Sequence, residues 1–153
     1  MLKNLVAAQE RWGGANDIID RWLQERQDML VLYCSLYPEA ESQTRDEREM
    51  SVRRFCQILV DYVSAGHFEI YNKLVEGGRA EDNVEGLARA REYYQQVDAT
   101  TEAILDFNDK YQETDDLSTL NDDLSKLGES LATRFEGEDA MIEVLHANRD
   151  RVA

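Results

Sequence analysis

The chain has 153 residues, with 17 Lys or Arg and 32 Asp or Glu, which gives a net charge of −15 at neutral pH. This length is typical of one domain, expected here over residues 1–153, and a hydrophobic share of 42% is too high for a disordered acidic tail. The negative charge disfavours direct binding to nucleic acid or to an anionic membrane, and it favours a basic partner.

The sequence also lacks the patterns of membrane insertion and export. No apolar run approaches the roughly 18 residues of a membrane span, and the first residues lack the charged-then-apolar pattern of a signal peptide. A cytoplasmic location is therefore expected. Cys34 and Cys56 are expected to be reduced thiols, because neither belongs to a CxxC pair or a zinc-type spacing.

Helical patterns fill most of the chain. Strand patterns are absent, and the periodicity predicts four helices, at about 4–36, 47–76, 83–112 and 117–148. The predicted breaks are a weak point at Gly13-Gly14, a proline loop at Pro38, a glycine stop at Gly77-Gly78 and an Asp-rich turn at Thr114-Asp115-Asp116. Since short connections make sequential helices antiparallel, the predicted fold is all-α, an up-down-up-down four-helix bundle with long helices.

Each predicted helix has one apolar stripe, and the polar residues on these stripes predict a buried or half-buried polar layer. Glu138 lies near the centre of the fourth stripe, and His67 lies within about 40° of the centre of the second. Folding the helices at their loops brings such residues to similar heights. The expected layer contains Arg26, His67, Tyr94, Arg134 and Glu138, with Glu138 paired to His67 or to an arginine.

Three interpretations of this layer stay open at the sequence level. It is a satisfied internal network that sets the helix register, a small polar cavity that contributes to a ligand or partner site, or a metal site. The metal interpretation is the weakest, because helical carboxylate bundles use two Glu-x-x-His motifs and this chain has two histidines in total. No GxSxG, phosphate loop or GxGxxG motif is present, so no catalytic residue, cofactor or enzymatic activity is expected.

The outer face of the second predicted helix is unusually apolar for a solvated surface. It carries Ile58, Asp61, Ala65, Phe68 and Asn72 opposite the core stripe. An apolar set rimmed by polar groups suggests a binding surface, against the alternatives of burial by a crossing helix end or a dimer contact. Asp61 inside this set is suited to accept a hydrogen bond from an arginine of the partner.

The negative charge is unevenly distributed. The 26 residues from Asp98 to Asp123 contain nine acids and one base, Lys110, and so hold −8 of the total −15. This stretch surrounds the predicted turn between the third and fourth helices, and Glu39, Glu41, Asp46 and Glu47 are expected at the same end. The charge serves either as a solubilising surface or to steer a basic partner.

Residues 55–71 (FCQILVDYVSAGHFEIY) resemble the central motif of the Rsd/AlgQ family, regulators of the bacterial primary sigma factor. Residues 20–23 (DRWL), Arg134-Phe135 and Glu138-Asp139 resemble the same family, and residues 9–14 (QERWGG) are similar to its AlgQ branch. The resemblance covers nearly the whole chain, and its most specific block runs over residues 59–68.

The resemblance implies a four-helix bundle that acts as an anti-sigma factor. Members bind the carboxy-terminal domain of the primary sigma factor, the basic helix-turn-helix that reads the −35 promoter element, and block its contacts with promoter DNA and core RNA polymerase. It implies Asp61 as the acceptor for a sigma arginine, surrounded by Ser64, Ala65, Phe68 and Asn72, with His67 and Glu138 in the polar interior.

The partner expected from this resemblance is therefore the primary sigma factor, bound by a monomer, with no nucleic acid, membrane or cofactor. Two other functions remain open from the residues: a ligand- or metal-binding bundle that uses the polar layer, and a general acidic adaptor.

Overall fold

The structure, a computed structural model, describes residues 17–36, 44–114 and 116–147. These ranges contain helices and no strand, namely α1 (Asp17–Ser35), α2 (Arg45–Ala65), α3 (Tyr71–Ala80), α4 (Val84–Asp98), α5 (Thr101–Tyr111) and α6 (Leu120–Ile142). A π-helical turn, π1 (Gly66–Ile70), joins α2 directly to α3, and a second, π2 (Glu143–Ala147), extends α6. The predicted all-α class with four long helical segments is confirmed.

Side-chain contacts show how the first two segments are oriented. Near the start of α1, Trp22 stacks on Tyr62 near the end of α2, with ring centroids 4.8 Å apart. Near the end of α1, Tyr33 contacts Phe55, earlier in α2, at 6.0 Å. Residue numbers thus rise along one helix as they fall along the other, and α1 and α2 are antiparallel.

The same reasoning orients the third and fourth segments. Gln96 of α4 donates a hydrogen bond to the Thr133 carbonyl of α6 at 3.0 Å, and Lys110 of α5 pairs with Asp123 of α6 at 2.7 Å. From the first pair to the second, the residue number rises in the third segment and falls in the fourth, so these two segments are antiparallel. The ring contact of Phe55 with Phe107, at 5.9 Å, joins α2 to α5. The contacts therefore describe an up-down-up-down bundle.

The core lies where the apolar stripes meet. All four helical segments contribute fully buried aliphatic side chains, among them Leu23, Met29, Leu59, Ile70, Ile104, Leu124, Leu131 and Ile142. These are the periodic positions of an amphipathic helix, and their burial provides the main favourable term in folding. Within the described ranges, no helix is long and apolar enough to cross a membrane.

The predicted glycine stop at Gly77-Gly78 is wrong, because α3 continues through both residues to Ala80. Gly78 is buried, and a Cβ atom there would lie 2.9 Å from Leu145 Cδ2 and 3.0 Å from Leu87 Cδ2. The glycine therefore permits close helix packing and does not end the helix. The chain turns after Ala80, at Asp82, whose φ of 52° is left-handed.

The third predicted helix is not continuous, since Ala99 and Thr100 separate α4 from α5. The Thr100 hydroxyl donates to the Val97 carbonyl at 2.7 Å, which satisfies an acceptor at the end of α4. No glycine or proline marks this break in the sequence. The predicted weak point at Gly13-Gly14 and the loop at Pro38 lie outside the described residues.

Candidate functional site

The π1 turn is the local feature that shapes the candidate site. The amide of Tyr71 donates to the carbonyl of Gly66, five residues earlier, so the turn contains one residue more than an α-helical turn. Gly66 faces inward, and a Cβ atom there would lie 3.0 Å from Trp22 Cζ2 and 3.1 Å from Tyr71 Oη. A side chain at this position would require Trp22 and Tyr71 to move back by a few tenths of an ångström. Such π-helical insertions are frequent at functional sites.

The prediction that His67 lies in the polar layer is wrong. A regular helical count places His67 near the core, but Gly66 and Tyr71, one π-helical turn apart, are the buried residues here. His67 is exposed, and its ring contacts Phe68 edge-on at 4.7 Å. Tyr94, also predicted for the polar layer, is half-buried and contacts the Tyr71 ring at 5.8 Å.

Glu138 is the centre of a buried network and is itself only 1% exposed. Its Oε1 accepts a hydrogen bond from the Tyr62 hydroxyl at 2.6 Å, and its Oε2 accepts one from the Tyr71 hydroxyl at 2.5 Å. Two guanidinium groups flank the carboxylate at 3.4 Å, those of Arg26 and Arg134. The structure thus brings together three of the five residues predicted for the polar layer.

The two arginines are themselves held by further partners. Arg26 pairs with Asp139 at 2.6 Å and donates through Nε to the Tyr62 hydroxyl at 2.9 Å. Arg134 reaches the break between α4 and α5, where its Nη1 donates to the hydroxyls of Thr100 and Thr101 at 3.2 and 3.1 Å. The buried cations are therefore matched by carboxylates and hydroxyls, as burial of charge requires.

Burial shifts the proton affinities of this network. It raises the pKa of the Tyr62 hydroxyl well above its usual value, and the neighbouring Glu138 raises it further. The pKa of Tyr71 is raised by the same two causes. Burial would lower the pKa of Arg26, but the facing Tyr62, Asp139 and Glu138 outweigh it and raise the pKa overall. Both phenols therefore stay protonated and Arg26 stays charged at neutral pH.

Sequence reasoning missed Tyr62, Tyr71 and Asp139 as members of the network. Tyr62 lies one turn after Leu59, and helical spacing could have marked it as buried, but nothing in the sequence identified its hydroxyl as a donor to Glu138. Among the described residues, no group of three or more His, Cys, Asp or Glu side chains is placed to hold a metal ion. Protein donors satisfy both oxygens of Glu138, which favours the interpretation as an internal network.

The face predicted for partner binding lies on the outside of α2, π1 and the start of α3. Asp61, Phe68 and Asn72 are exposed, and Phe68 is the most prominent at 74% exposed. Ile58, Ser64 and Ala65 are half-buried. We call this set of six residues the π1 face. Ile58 and Ala65 also pack against the core, so the apolar part of the face that reaches solvent is mainly Phe68.

Carboxylates from α1 and π1 lie beside the π1 face. Partial burial raises the pKa of Glu25, and the nearby negative charges of Asp61 and Glu69 raise it further. Glu25 therefore lies near the negative charges of Asp61 and Glu69, and Arg21 offsets part of that charge. The Asp61 carboxylate accepts a hydrogen bond from the Gln57 side chain at 3.0 Å. A cation placed here would lower the repulsion further, and the sequence did not indicate the contribution of Glu25 and Glu69.

The acidic stretch predicted from the sequence forms the other end of the bundle. Its described carboxylates are exposed except that of Asp123, which is half-buried. Arg48 joins this end by donating to the Leu36 carbonyl at 3.2 Å and to Asn121 at 3.1 Å, so the start of α2 meets the start of α6. Asp46 and Glu47 therefore lie at this end, while Glu39, Glu41 and Asp115 lie outside the described residues.

Comparison with known proteins identifies the family. The family model described as "Regulator of RNA polymerase sigma(70) subunit, Rsd/AlgQ" matches residues 1–146. A relative from Enterobacter sp. (strain 638), named Regulator of sigma D, is 37% identical over 100% of this chain and 98% of its own length. Relatives of the same name from Escherichia coli O139:H28 and Shigella boydii serotype 18 are 40% identical over 93% of this chain and 92% of theirs. The chain belongs to the Rsd/AlgQ family, which comprises regulators of the sigma factor of RNA polymerase and not enzymes.

Proposed function

We propose that this chain is an anti-sigma factor that binds the basic carboxy-terminal domain of the primary sigma factor and sequesters it in the cytoplasm. Membership of the Rsd/AlgQ family and relatives named Regulator of sigma D support a sigma factor as the partner. The π1 face supports the choice of domain, because its chemistry suits a helical, arginine-bearing surface.

The observation that carries the proposal is the pairing of exposed Phe68 with the carboxylates around Asp61. A large exposed aromatic side chain beside charged groups is the usual composition of an interface anchor. Asp61, Glu25 and Glu69 together offer acceptors for arginine, whose planar guanidinium binds a carboxylate through two hydrogen bonds. A domain that reads DNA must display such arginines.

The buried network contributes by holding this face in place. Glu138 fixes Tyr62 on α2 and Tyr71 after π1, so the turn that displays Phe68 is tied at both ends to α6. A rigid surface loses less conformational entropy on binding than a flexible one. Sequestration then needs no chemical step, since occupancy of sigma depends on the concentrations of the two proteins and on Kd.

The acidic end is proposed to act at longer range. Its exposed carboxylates create a negative potential that attracts a basic domain before contact, which raises the association rate more than the final affinity. The association rate is therefore expected to fall as salt is added, because the Debye length shortens to about 8 Å at physiological ionic strength.

The test is calorimetric titration of the sigma carboxy-terminal domain into the full chain and its Asp61→Asn variant. Loss of a charge-assisted hydrogen bond is expected to weaken Kd by about 10- to 100-fold, with unchanged helicity and melting temperature because Asp61 is exposed. Glu129→Gln, which removes one negative charge from an exposed position on α6, is the matched control.

Equal affinity of the Asp61→Asn variant and the parent chain would contradict the role of Asp61. Binding of an unrelated basic protein as tight as that of the sigma domain would instead favour a general acidic adaptor. Phe68→Ala provides an independent measure of the face, and we expect a loss of binding comparable to that of Asp61→Asn.

A further inference from the structure

A groove of about 610 Å³ opens beside the π1 face, between π1–α3 on one side and α4 on the other. Its volume is in the range of small-molecule sites, roughly 300–1,000 Å³. Phe68 and Asn72 line its near edge, and Tyr94 and Met141 line its interior. The Glu138 network lies behind the groove: Tyr71 is part of the groove lining, and its hydroxyl donates to the buried Glu138 Oε2.

The floor of the groove is apolar. Val75 of α3 and Leu87 of α4 are half-buried and pack against the core, and Met141 of α6 is buried. Tyr94 adds an aromatic wall, held edge-on against the Tyr71 ring at 5.8 Å. A floor of this kind binds an aromatic or aliphatic group by removing apolar surface from water.

The rim of the groove has the opposite charge to the rest of the protein. Arg79 on α3 and Arg91 on α4 line it, and both are exposed. Glu76 is the one carboxylate among the described residues of the lining. Two arginines against one acid make a positive region on a chain whose net charge is −15, and arginine binds phosphate or carboxylate with particular strength.

We propose that this groove binds a small amphipathic anion, with an aromatic or aliphatic body on the apolar floor and a phosphate or carboxylate head between Arg79 and Arg91. The combination of an apolar floor with few, placed cations is the usual design of such sites, in which apolar area supplies affinity and polar groups supply orientation. Because Phe68 and Asn72 belong both to the groove and to the π1 face, a bound anion competes with sigma. This last consequence rests on the proposed function, whereas binding itself does not.

The test uses the full chain alone and three probes that share an aromatic body: naphthyl phosphate, naphthoate and uncharged naphthol. Titrations followed by amide chemical shifts in NMR report both Kd and the location of binding. We expect the two anions to bind at the groove about ten-fold or more tightly than naphthol, because only they engage the guanidinium groups. Comparison of naphthyl phosphate with naphthoate shows which head group the arginines prefer.

The discriminating variant is Arg79→Gln/Arg91→Gln, which should abolish the preference for the anions and leave naphthol binding unchanged. The matched control is Arg54→Gln/Arg89→Gln, which removes the same charge from exposed positions outside the groove lining and should preserve the preference. Equal binding of the three probes, shifts outside the groove, or equal effects of the two double variants would each overturn the proposal. Because sigma is absent from these titrations, their failure would leave the anti-sigma proposal unaffected.

Discussion

Two clusters in this protein combine the same groups, a tyrosine hydroxyl, a carboxylate and a cation, about four turns apart along α6. At one, Glu138 accepts from Tyr62 and Tyr71 and faces two arginines. At the other, Asp123 accepts from the Tyr111 hydroxyl and from Lys110, whose Nζ lies 2.7 Å away. The side chain of Glu138 is fully buried, whereas those of Lys110 and Asp123 are 52% and 23% exposed.

Access of solvent, and not the set of hydrogen bonds, decides what such a cluster does. Water screens the pair at Asp123 and can replace either partner, so the pair contributes little to stability. At Glu138 water is excluded, and loss of one partner leaves the others buried without compensation. The buried cluster therefore fixes the positions of the helices, while the exposed one belongs to a charged surface.

The largest expected effect is that of Glu138→Ala. Removal of the carboxylate leaves Arg26 and Arg134 buried without their central anion, and we expect a loss of about 3–5 kcal/mol in the free energy of unfolding. Urea denaturation followed by circular dichroism measures it. Glu136→Ala, at an exposed position two residues earlier, is the control and should change stability by less than about 0.5 kcal/mol. Similar losses for the two variants would contradict the importance of burial.

Alkaline pH should distinguish the two clusters next. Burial raises the pKa of Tyr62 and Tyr71 in the folded state. The two phenols therefore stabilise the fold below the unfolded pKa of about 10, and this stabilisation is lost as pH rises above that value. Each phenol adds a slope of about 1.4 kcal/mol per pH unit. The pKa of Tyr111 is raised too, by burial and by its bond to Asp123, but Thr119 and the cation of Lys110 oppose the rise.

The measurement is urea denaturation between pH 9 and 12, together with absorbance titration of the phenolates. Tyr71→Phe should flatten the alkaline dependence of stability more than Tyr111→Phe does. If both variants flatten it equally, the buried and exposed clusters do not differ in the way that their solvent exposure indicates.

Gly66→Ala tests the turn that connects the buried cluster to the π1 face. The added methyl meets Trp22 and Tyr71, and Trp22 is held by its stack on Tyr62. Overpacking costs about 1–3 kcal/mol, partly offset by about 0.5–1 kcal/mol from the lower backbone entropy of alanine. We expect a net thermal destabilisation, with Ser64→Ala, which adds no atom, as a nearly neutral control. An unchanged melting temperature for Gly66→Ala would mean that the rings adjust freely.

The smallest effect is expected for Asp123→Asn. Hydrogen bonds from Lys110 and Tyr111 hold the pKa of Asp123 below its usual value, so its contribution is present above an unfolded pKa of about 3.9 and is lost as pH falls through the folded value. The variant should be slightly less stable than the parent at pH 7 and equal to it in acid. Asp122→Asn, at the exposed neighbouring position, is the control. A loss at Asp123 as large as that at Glu138 would refute the comparison.

The polar layer shows how far the sequence could predict the candidate site. Arg26, Arg134 and Glu138 were identified because a charge on an apolar stripe breaks a periodic pattern. His67 was misplaced because a helical count does not show that its neighbour Gly66 takes the inward position, where Trp22 and Tyr71 pack against it. The break at Thr100 was missed because the contact made there is with Arg134 of another helix, which the local sequence does not show.

The π1 face was also predicted only in part from the sequence. Asp61, Phe68 and Asn72 were predicted as exposed from their position opposite the core stripe, and they are exposed; their role in binding stays a proposal. The negative region around Asp61 depends on Glu25, which is far away in sequence and approaches only when α1 packs beside π1.

The sequence by itself determined the helical class, the four segments, most of the apolar core and the family, because these depend on local periodicity and on motifs read along the chain. Only the tertiary structure decided which groups meet Glu138, that His67 is exposed while Gly66 and Tyr71 are buried, and that Arg79 and Arg91 line one groove. Those properties depend on helix phase and on contacts between distant segments. A shift of one residue changes both without altering the pattern by which a helix is recognised.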